Sequence, residues 1–385
     1  MSWNPSRLLG LRLNLFLGDT LAAPAPSLLA EALQDVQVEL GDEGNDGFQL
    51  TFGAGRKLGV PTTDSAVFSH PLLTPFSRVI VQVTLGAQVE PLIDGFITHR
   101  QAAPGNEPGS ASLTVIGEDV RVMMDLTEQT VSHTGLSVDM RVQRILASYQ
   151  QYLLQPPRVM PPRANRTPSP LESMPVQCGT DLAYLRRLAH DQAYVFYVEP
   201  GLVPNSNIAY WGPPQRIGAP QPALSVNMGP DTNARVQFSY DALKNETVAG
   251  MAMDKLTRAL QSISAQAGID NPLALQAARA YQRGRGRALL ARENIGAAVM
   301  DVISAESAAA LRTEDTLVAT AEINVGEYGR VLRPRRLVGL RGAGLQLDGF
   351  YYVKRVTHAI RRGTYTQRCT LTREGVGATS MAVAV

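Results

Sequence analysis

Residues that could do chemistry are scattered along this chain rather than grouped in a recognisable motif. There is neither a nucleophile elbow nor a phosphate-binding lysine loop. The glycine pair Gly342-Ala343-Gly344 precedes a predicted strand, whereas a dinucleotide-binding turn follows a strand and opens a helix. No two of the five histidines lie within one helical turn, which excludes an HExxH-type metal motif: His70, His99, His133, His190 and His358. The sequence therefore predicts no catalytic residue, no metal and no cofactor.

One acidic segment, Glu39–Asp46, has the hard oxygen atoms that calcium prefers. Asp42, Glu43 and Asp46 lie close together in it, but their spacing misses the EF-hand pattern. A solvated hairpin explains the same residues, and the Asp46-Gly47 pair suits a tight turn. We therefore favour the hairpin, with calcium as the alternative.

Two arginine clusters, RGRGR and RPRR, have the chemistry to grip phosphates or carboxylates. The alternative is a solvated loop or helix face. If the chain belongs to an assembly, these side chains become candidate interface groups that steer a negatively charged partner: Arg283, Arg285, Arg287, Arg333, Arg335 and Arg336.

The composition limits the classes of partner. A formal net charge of +2 gives no general reason to expect nucleic acid or an anionic membrane. Only 18% of residues are charged, against about a quarter in typical soluble domains, so either partners cover much of the surface or the composition has drifted. Cys178 and Cys369 have no cysteine neighbours that would form a zinc site or disulfide framework. We predict no signal peptide and no stable membrane insertion.

The 385 residues exceed what one hydrophobic core usually supports, so two or three domains are expected. Alternating leucines from Leu11 to Leu17 have the period of a half-buried strand. We predict further strands at 36–40, 48–52, 78–85, 92–100 and 111–117. Together they indicate a β-meander.

The middle of the chain changes to helical spacing. A helix is predicted from the N-cap Ser137 to about Leu153, and a second follows the cap Thr180. The second helix runs into two strands, AYVFYVE and NIAYWG. Beyond Asn245, Ala-rich segments predict at least two more helices, after which β patterns return at TLVATAEINV, RLVGLRG, DGFYYVKRVTHAI and TYTQRCTLTRE. The final small residues are expected to be mobile unless a partner orders them.

An internal repeat is the most informative feature. Asp94-Gly95-Phe96 and Asp348-Gly349-Phe350, 254 residues apart, each lead a strand, a polar hairpin loop and a second strand. In each copy the glycine lies where the chain enters a strand from a turn, a position that needs unusual backbone freedom. We therefore predict two similar domains with a different one inserted between them.

The middle and final segments resemble the late control gene D proteins of phages, which form the hub of contractile-tail baseplates, and the hub portion of type VI VgrG proteins. The resemblance is carried by DLAYLRRLAHDQAYVFY, NIAYWG and the terminal Leu347–Gly377 segment. The terminal segment matches the family pattern of glycine, aromatic, valine, histidine, Gly-x-Tyr and a closing arginine and glycine. Those positions are Gly349, Tyr351, Val353, His358, Gly363, Tyr365, Arg373 and Gly377.

The resemblance implies two tube-like β-barrel domains per subunit and a homotrimer that matches a sixfold tail tube to a threefold spike. The resemblance also implies tail tube and spike proteins as its partners, with baseplate wedge proteins as further candidates. Many relatives continue into a further barrel and a needle, so here the spike is expected to be a separate protein. Relatives tend to have glycine where this chain has Arg335-Arg336, directly after Pro334. The exact turn that the family has at this point is therefore not carried over to this chain.

We therefore predict an α+β, mainly β chain: a first tube-like antiparallel β-barrel domain at 1–130, a middle α+β domain with a Pro-rich loop at 131–244, and a helical segment with the second barrel at 245–385. The predicted function is a non-enzymatic hub, cytoplasmic during assembly and then part of a virion or injection particle. The alternatives are a cell-wall or carbohydrate hydrolase on a β scaffold and, more weakly, a nucleic-acid binder. The structural motif residues are Asp94, Gly95, Phe96, Asp348, Gly349, Phe350, Tyr352, His358 and Tyr365.

Overall fold

The structure, a computed structural model, divides the chain into two β-units and a middle α+β domain. It describes residues 10–55, 65–104, 110–162, 165, 167–168, 174–244, 246–253, 260–265, 272–285, 287–291 and 315–379.

The first β-unit is an antiparallel sheet curled around one core. Its elements are β1 Leu11–Gly18, β2 Ala22–Pro24, α1 Ser27–Ala32, β3 Leu33–Gly41, β4 Gly47–Gly53, β5 Arg78–Leu85, β6 Gln88–Ala103 and β7 Ser112–Asp119. They pair in the order β3-β4-β7-β6-β5-β1-β2. Alternate apolar side chains of β1, β3, β4, β5 and β7 meet in the same core, which requires the sheet to curl. All the strands predicted here are confirmed.

The middle domain packs helices against short sheets. Its elements are β8 Glu128–Ser132, α2 Val138–Ala147, α3 Gln150–Leu153, β9 Arg158–Val159, β10 Val176–Thr180, α4 Asp181–Asp191, β11 Val195–Pro200 and β12 Asn207–Gly212. The Thr180 hydroxyl accepts a hydrogen bond from the Ala183 amide at 3.2 Å, so the predicted cap is confirmed. The predicted helix after Ser137 is interrupted, because α2 ends at Ala147 and α3 is a separate turn. Fully buried Trp211 lies in this core.

The second β-unit follows. The remaining elements are β13 Gln221–Ser225, β14 Ala234–Tyr240, β15 Glu246–Met253, β16 Leu260–Ala265, β17 Ala274–Ala277, α5 Ala278–Tyr281, β18 Arg287–Ala291, β19 Leu317–Asn324, α6 Val325–Tyr328, β20 Leu337–Arg341, β21 Gly349–Arg361, β22 Thr364–Arg373 and β23 Gly375–Ala378. Short 3-10 helices lie at Pro71–Leu73, Val120–Met124, Gly229–Asp231 and Ala242–Lys244.

The two β-units have the same strand order. The first runs β3-β4-β7-β6-β5-β1, and the second runs β14-β19-β22-β21-β20-β13. They differ at the last strand, because β1 is antiparallel to β5 whereas β13 is parallel to β20. The predicted fold class, mainly β with two similar antiparallel units, is therefore confirmed. The two units are also hydrogen-bonded to each other through β21 and β3 within one sheet.

The two Asp-Gly-Phe copies occupy the same place in this order. Gly95 of β6 pairs with Val79 of β5, and Gly349 of β21 pairs with Leu340 of β20. A Cβ atom at Gly95 would lie 2.1 Å from the Glu118 carbonyl oxygen. Gly349 instead has a φ of +123°, a conformation that side chains disfavour. Both positions require glycine, for different physical reasons.

The Ala-rich region corrects a prediction. Where helices were expected after Asn245, the described residues form β15, β16 and β18, with β15 antiparallel to β16 and parallel to β18. Among the described residues of this region, only the short α5 is helical. Alanine's helix propensity is a weak preference that tertiary pairing overrides. The segment AAVMDVISAESAAALR lies outside the described residues.

Two further expectations differ from the structure. Gly375–Ala378, expected to be mobile, forms β23 and pairs with β17, while residues 380–385 lie outside the described part. Strands β13 and β14, within the predicted middle domain 131–244, pair with β20 and β19 of the second β-unit. The described middle domain thus ends with β12.

No described helix is both long and apolar enough to cross a lipid bilayer.

Because a side chain at Gly349 would be strained and would approach Arg373 Nη1 at 3.0 Å and the Ala378 Cα at 3.2 Å, we expect Gly349→Val to lower the free energy of unfolding by about 3 kcal/mol or to prevent folding. Urea denaturation measures this loss. Gly363→Val is the control: its φ is +82° but nothing lies within 4 Å, so about 1–2 kcal/mol is expected. Equal stability of Gly349→Val and the parent protein would contradict this role.

Candidate functional site

The candidate site is the junction where the two β-units and the middle domain meet. Strand β21 has β22 along one edge, but its other edge changes partner. Gly349–Tyr352 pair with β20, whereas Arg355–Arg361 pair with β3 of the first unit. The register with β22 shifts at Lys354, between these two segments. A bulge of this kind bends a strand and increases its twist, so β21 can belong to both units.

Four buried charges lie beneath this junction. The Arg335 Nη2 atom is 2.6 Å from Asp46 Oδ2, and Arg121 Nη2 is 2.5 Å from Asp119 Oδ2. Arg121 Nη2 also lies 3.5 Å from Asp46 Oδ1, which links the two pairs. None of the four side chains is more than 3% exposed. Two arginines lie against two aspartates, which offsets the cost of burying these groups away from water. We call these residues the junction cluster.

The junction cluster also holds the middle domain. Arg121 Nη1 donates to the Phe196 carbonyl oxygen at 2.8 Å, and the Arg335 guanidinium lies 4.1 Å from the centre of the Tyr197 ring. Burial opposes the charge of both arginines, but the neighbouring carboxylates outweigh it and raise the pKa of Arg121 and of Arg335. Residues from all three parts of the chain therefore meet in one electrostatic unit.

The first Asp-Gly-Phe copy forms a second contact with the middle domain. Arg78 holds both carboxylate oxygens of Asp94 at 2.7 Å, and the Asn207 amide of β12 donates to Asp94 Oδ2 at 2.9 Å. Phe96 lies in the middle-domain core, edge-on to Tyr152 at 5.5 Å. Burial raises the pKa of Asp94 although Arg78 and Asn207 both favour the charged form. The motif thus anchors the middle domain on the first β-unit.

The second copy has different chemistry at the same position. The Asp348 carboxylate accepts a hydrogen bond from the Ala343 amide at 2.8 Å and closes a turn. Beside Gly349, buried Arg373 donates to the carbonyls of Gly375, Asp348 and Gln346, at 2.8–3.0 Å. Phe350 packs near Leu273, Leu337 and Tyr352. The repeat preserves strand position but not its polar partners.

The remaining motif residues are buried in the sheet. His358 Nδ1 and the Tyr365 hydroxyl are 2.7 Å apart, on adjacent strands β21 and β22. Burial lowers the pKa of His358 to about 3, so the ring is neutral at ordinary pH. Tyr352 is 1% exposed, and the Arg216 guanidinium lies 5.8 Å from its ring centre. All three side chains are buried, and those of His358 and Tyr365 are also hydrogen-bonded to each other.

The arginine candidates divide into two groups. Arg335, predicted as a surface interface group, is instead 2% exposed and paired inside the molecule, with a φ of +62°. No local pattern indicates its partner, because Asp46 lies 289 positions away. Arg336, Arg283 and Arg285 are exposed, so an interface role for them remains a prediction. The backbone of Arg287 lies in β18, beside Glu246.

The acidic hairpin is held by protein groups. Asp46 accepts from the Gly41 amide at 2.9 Å as well as from Arg335, so its oxygens face donors rather than an open site. Glu43 lies 2.7 Å from Lys354 Nζ and is largely exposed. Burial raises the pKa of Asp42 to about 6. Among the described residues, no group of three or more acidic, histidine or cysteine side chains is arranged to hold a metal ion.

Sequence reasoning missed most of the polar residues that build the site: Arg78, Asp119, Arg121 and Asn207. Arg78 opens the apolar strand RVIVQVTL, and a charged residue that begins a buried strand is a weak signal of a buried ion pair. The partners of the others come from distant segments and have no local pattern.

Tail and secretion proteins are among the solved structures that are similar to this fold. The tail protein from Neisseria meningitidis MC58 matches with a TM-score of 0.61 and 12% identity over 96% of this chain and 98% of that one. The 43 kDa tail protein of prophage MuSo2 from Shewanella oneidensis matches with a TM-score of 0.63 and 10% identity, over 95% of this chain and 99% of that one. No protein-family profile and no curated protein matches the sequence significantly.

A third match is a component of the E. coli type VI secretion system, described as structurally similar to the T4 bacteriophage tail proteins gp27 and gp5. Its TM-score is 0.56 at 11% identity, over 91% of this chain and 76% of that one. The fold is therefore that of phage tail and VgrG-related proteins. The resemblance predicted from sequence is confirmed at the level of the fold.

Because Arg335 balances the buried charge of Asp46, we expect Arg335→Met to lower the free energy of unfolding by about 3–5 kcal/mol. The control is the neighbouring exposed residue Arg336. We expect Arg336→Met to change the free energy of unfolding by at most about 0.5 kcal/mol. Guanidinium denaturation at pH 7 compares the two. Similar stability for both variants would show that the junction cluster does not hold the units together.

Burial raises the pKa of Asp42 from 3.8 to about 6, so the folded protein holds this proton more tightly than the unfolded chain. Its contribution to stability is therefore present below pH 3.8 and is lost as the pH rises through about 6. We expect Asp42→Asn to stabilise the protein at pH 7.5 by about 1–2 kcal/mol, and the gain to shrink towards pH 4.

Thermal unfolding between pH 4 and 8 measures this difference. The control is Glu43→Gln, because Glu43 is the adjacent but exposed carboxylate. A pH-independent difference between Asp42→Asn and the parent protein would contradict the assignment.

Proposed function

We propose that the chain is a structural baseplate hub of a contractile phage-tail-like injection system. One observation carries the proposal: two β-units of the same strand order lie side by side in one sheet, fixed by β21 and the junction cluster. Supporting it, the fold is shared with phage tail proteins along almost their full length. Similarity in fold alone does not assign function, so the proposal depends on this duplicated geometry.

The duplication suits a symmetry adaptor. In a homotrimer, three subunits with two similar β-units each present six similar surfaces while the assembly keeps threefold symmetry. A sixfold tail tube would meet the six β-units, and a trimeric spike would meet the threefold face. The proposed partners are therefore a tail tube protein and a spike, with baseplate wedge proteins as further candidates.

The proposed role is non-enzymatic. Buried Asp46, Asp94 and Asp119 are each held by an arginine, which suits a scaffold rather than acid–base catalysis. The proposed location is the cytoplasm during assembly and then the virion or injection particle.

Native mass spectrometry tests the proposal. We expect the purified chain, alone or with a trimeric spike protein, to be a trimer that binds a tube protein. A monomer in the presence of the spike would contradict the hub. Peptidoglycan cleavage by the pure chain, abolished by one carboxylate substitution, would instead favour the hydrolase.

A further inference from the structure

The first β-unit has an open groove beside β1. The groove has a volume of about 600 Å³ and lies between β1, α1, the start of β3, α6 and the tip of the β21–β22 hairpin. Apolar side chains from both β-units line it: Leu11, Leu13, Leu15, Leu33, Val36 and Ile360. We call this space the β1 groove.

One edge of β1 is only partly paired. Strand β5 pairs with β1 along its whole length, whereas β2 pairs with the other edge only over Phe16–Gly18. The Ala25 amide extends that contact by donating to the Leu15 carbonyl oxygen at 2.9 Å. Because the backbone groups of alternate residues point to the same edge, those of Leu11 and Leu13 also point away from β5. Among the described strands, none pairs with them there.

The exposure of the β1 leucines rises where this cover is missing. Leu17 and Leu15, beside β2, are 2% and 7% exposed, whereas Leu13 is half-buried and Leu11 is 39% exposed. All four side chains lie on one face of β1, because they alternate along the strand. A chain placed along the open edge would therefore bury apolar surface at Leu11 and Leu13 and pair their backbone groups.

The second unit joins the corresponding edge to its own chain. In the shared strand order, β13 is the counterpart of β1 and β14 is the counterpart of β3. Asn233, directly before β14, donates its amide to the Ser225 carbonyl oxygen at 3.1 Å and accepts from the Ser225 amide at 2.8 Å. In the first unit, the chain before β3 forms α1 instead. The open edge beside the groove is thus particular to the first unit.

The polar rim of the β1 groove is basic. Arg361 and Arg362, at the tip of the β21–β22 hairpin, line it, and no acidic side chain among the described residues does. Arg361 is paired with Asp35 at 2.9 Å, but Arg362 Nη2 donates to the neutral Glu31 carbonyl oxygen at 2.8 Å. A carboxylate bound in the groove would therefore balance the charge of exposed Arg362.

We propose that the β1 groove binds an extended peptide segment of another protein, with alternate apolar residues and one acidic residue, which adds a strand to the open edge of β1. Strand addition provides affinity through main-chain hydrogen bonds and specificity through alternate side chains. The acidic residue pairs with Arg362. Residues 1–9 of this chain match this chemistry less well, because they contain Arg7 and no acidic residue. The peptide site does not depend on the proposed hub function, since one chain supplies all of it.

A yeast-displayed library of random peptides tests the chemistry of the occupant. Peptides of about eight residues span the open edge, at about 3.3 Å per residue. The bait is the full chain, labelled at exposed Cys178. We expect the enriched peptides to have alternate apolar residues and to contain Asp or Glu. No enrichment, or enrichment of basic peptides, would contradict the proposal.

The enriched peptides, synthesised and titrated against the full chain, then test the position of the site. We expect Arg362→Glu to weaken binding at least about tenfold, because it replaces attraction by repulsion. The matched control is Arg336→Glu, which reverses an exposed arginine outside the groove and should leave the affinity unchanged. Equal affinities of the two variants would overturn the assignment to the β1 groove.

N-methylated peptides test the strand edge. Methyl groups on one set of alternate amides remove the donors that face β1 and should weaken binding at least about tenfold, whereas methyl groups on the other set leave those donors intact. Equal effects of the two sets would show that the peptide does not extend the sheet.

Two results would assign the groove to a different occupant and overturn the proposal. If peptides bind only after residues 1–8 are deleted, this chain fills its own groove. If Arg362→Glu dissociates an oligomer of the full chain, a second copy fills it. Native mass spectrometry of the same variants detects the second case. Failure of peptide binding with an unchanged oligomeric mass leaves the hub proposal standing.

Discussion

The arrangement of all three parts of the chain depends on charge balance at the junction cluster. Asp46 and Asp119 come from the first β-unit, Arg335 comes from the second, and Arg121 reaches the backbone of the middle domain. A buried ion pair adds little net stability over apolar packing, but removing one member leaves an uncompensated charge. The cluster therefore favours one arrangement of the units over alternatives in which the charges separate.

Strand β21 supplies the second constraint. Its bulge at Lys354 lets one strand close the second unit with β20 and then continue as the neighbour of β3. The backbone bonds between β21 and β3 and the ion pairs of the junction cluster both join the two units. A subunit that must present two similar surfaces at a fixed rotation needs both, because a flexible linker would allow the units to turn independently.

Much of this fold can be predicted from the sequence, because the strands have hydrophobic patterns that are complete within a few residues. The leucines of β1, the run RVIVQVTL and the cap Thr180 each specify an element within a few residues. The Asp-Gly-Phe repeat predicts which strands of the two units are equivalent, because both copies require glycine at the same place in the strand order. The Ala-rich strands were missed because propensity is weaker than pairing, and Arg335 was misplaced because a buried arginine resembles a surface arginine until its partner is known.

The two units share a strand order but differ in side-chain chemistry. The equivalent aspartates of the two units have different partners. Asp94 forms a buried ion pair with Arg78 and accepts a hydrogen bond from Asn207 of the middle domain, whereas Asp348 closes a turn beside Arg373. Similarly, β3 and β4 join by a tight acidic hairpin, whereas the equivalent β14 and β19 are separated by the segment that contains β15–β18. In the proposed hub, a sixfold partner would contact what the units share, and a threefold partner what distinguishes them. Divergence of side chains on a conserved strand order is therefore what a symmetry adaptor requires.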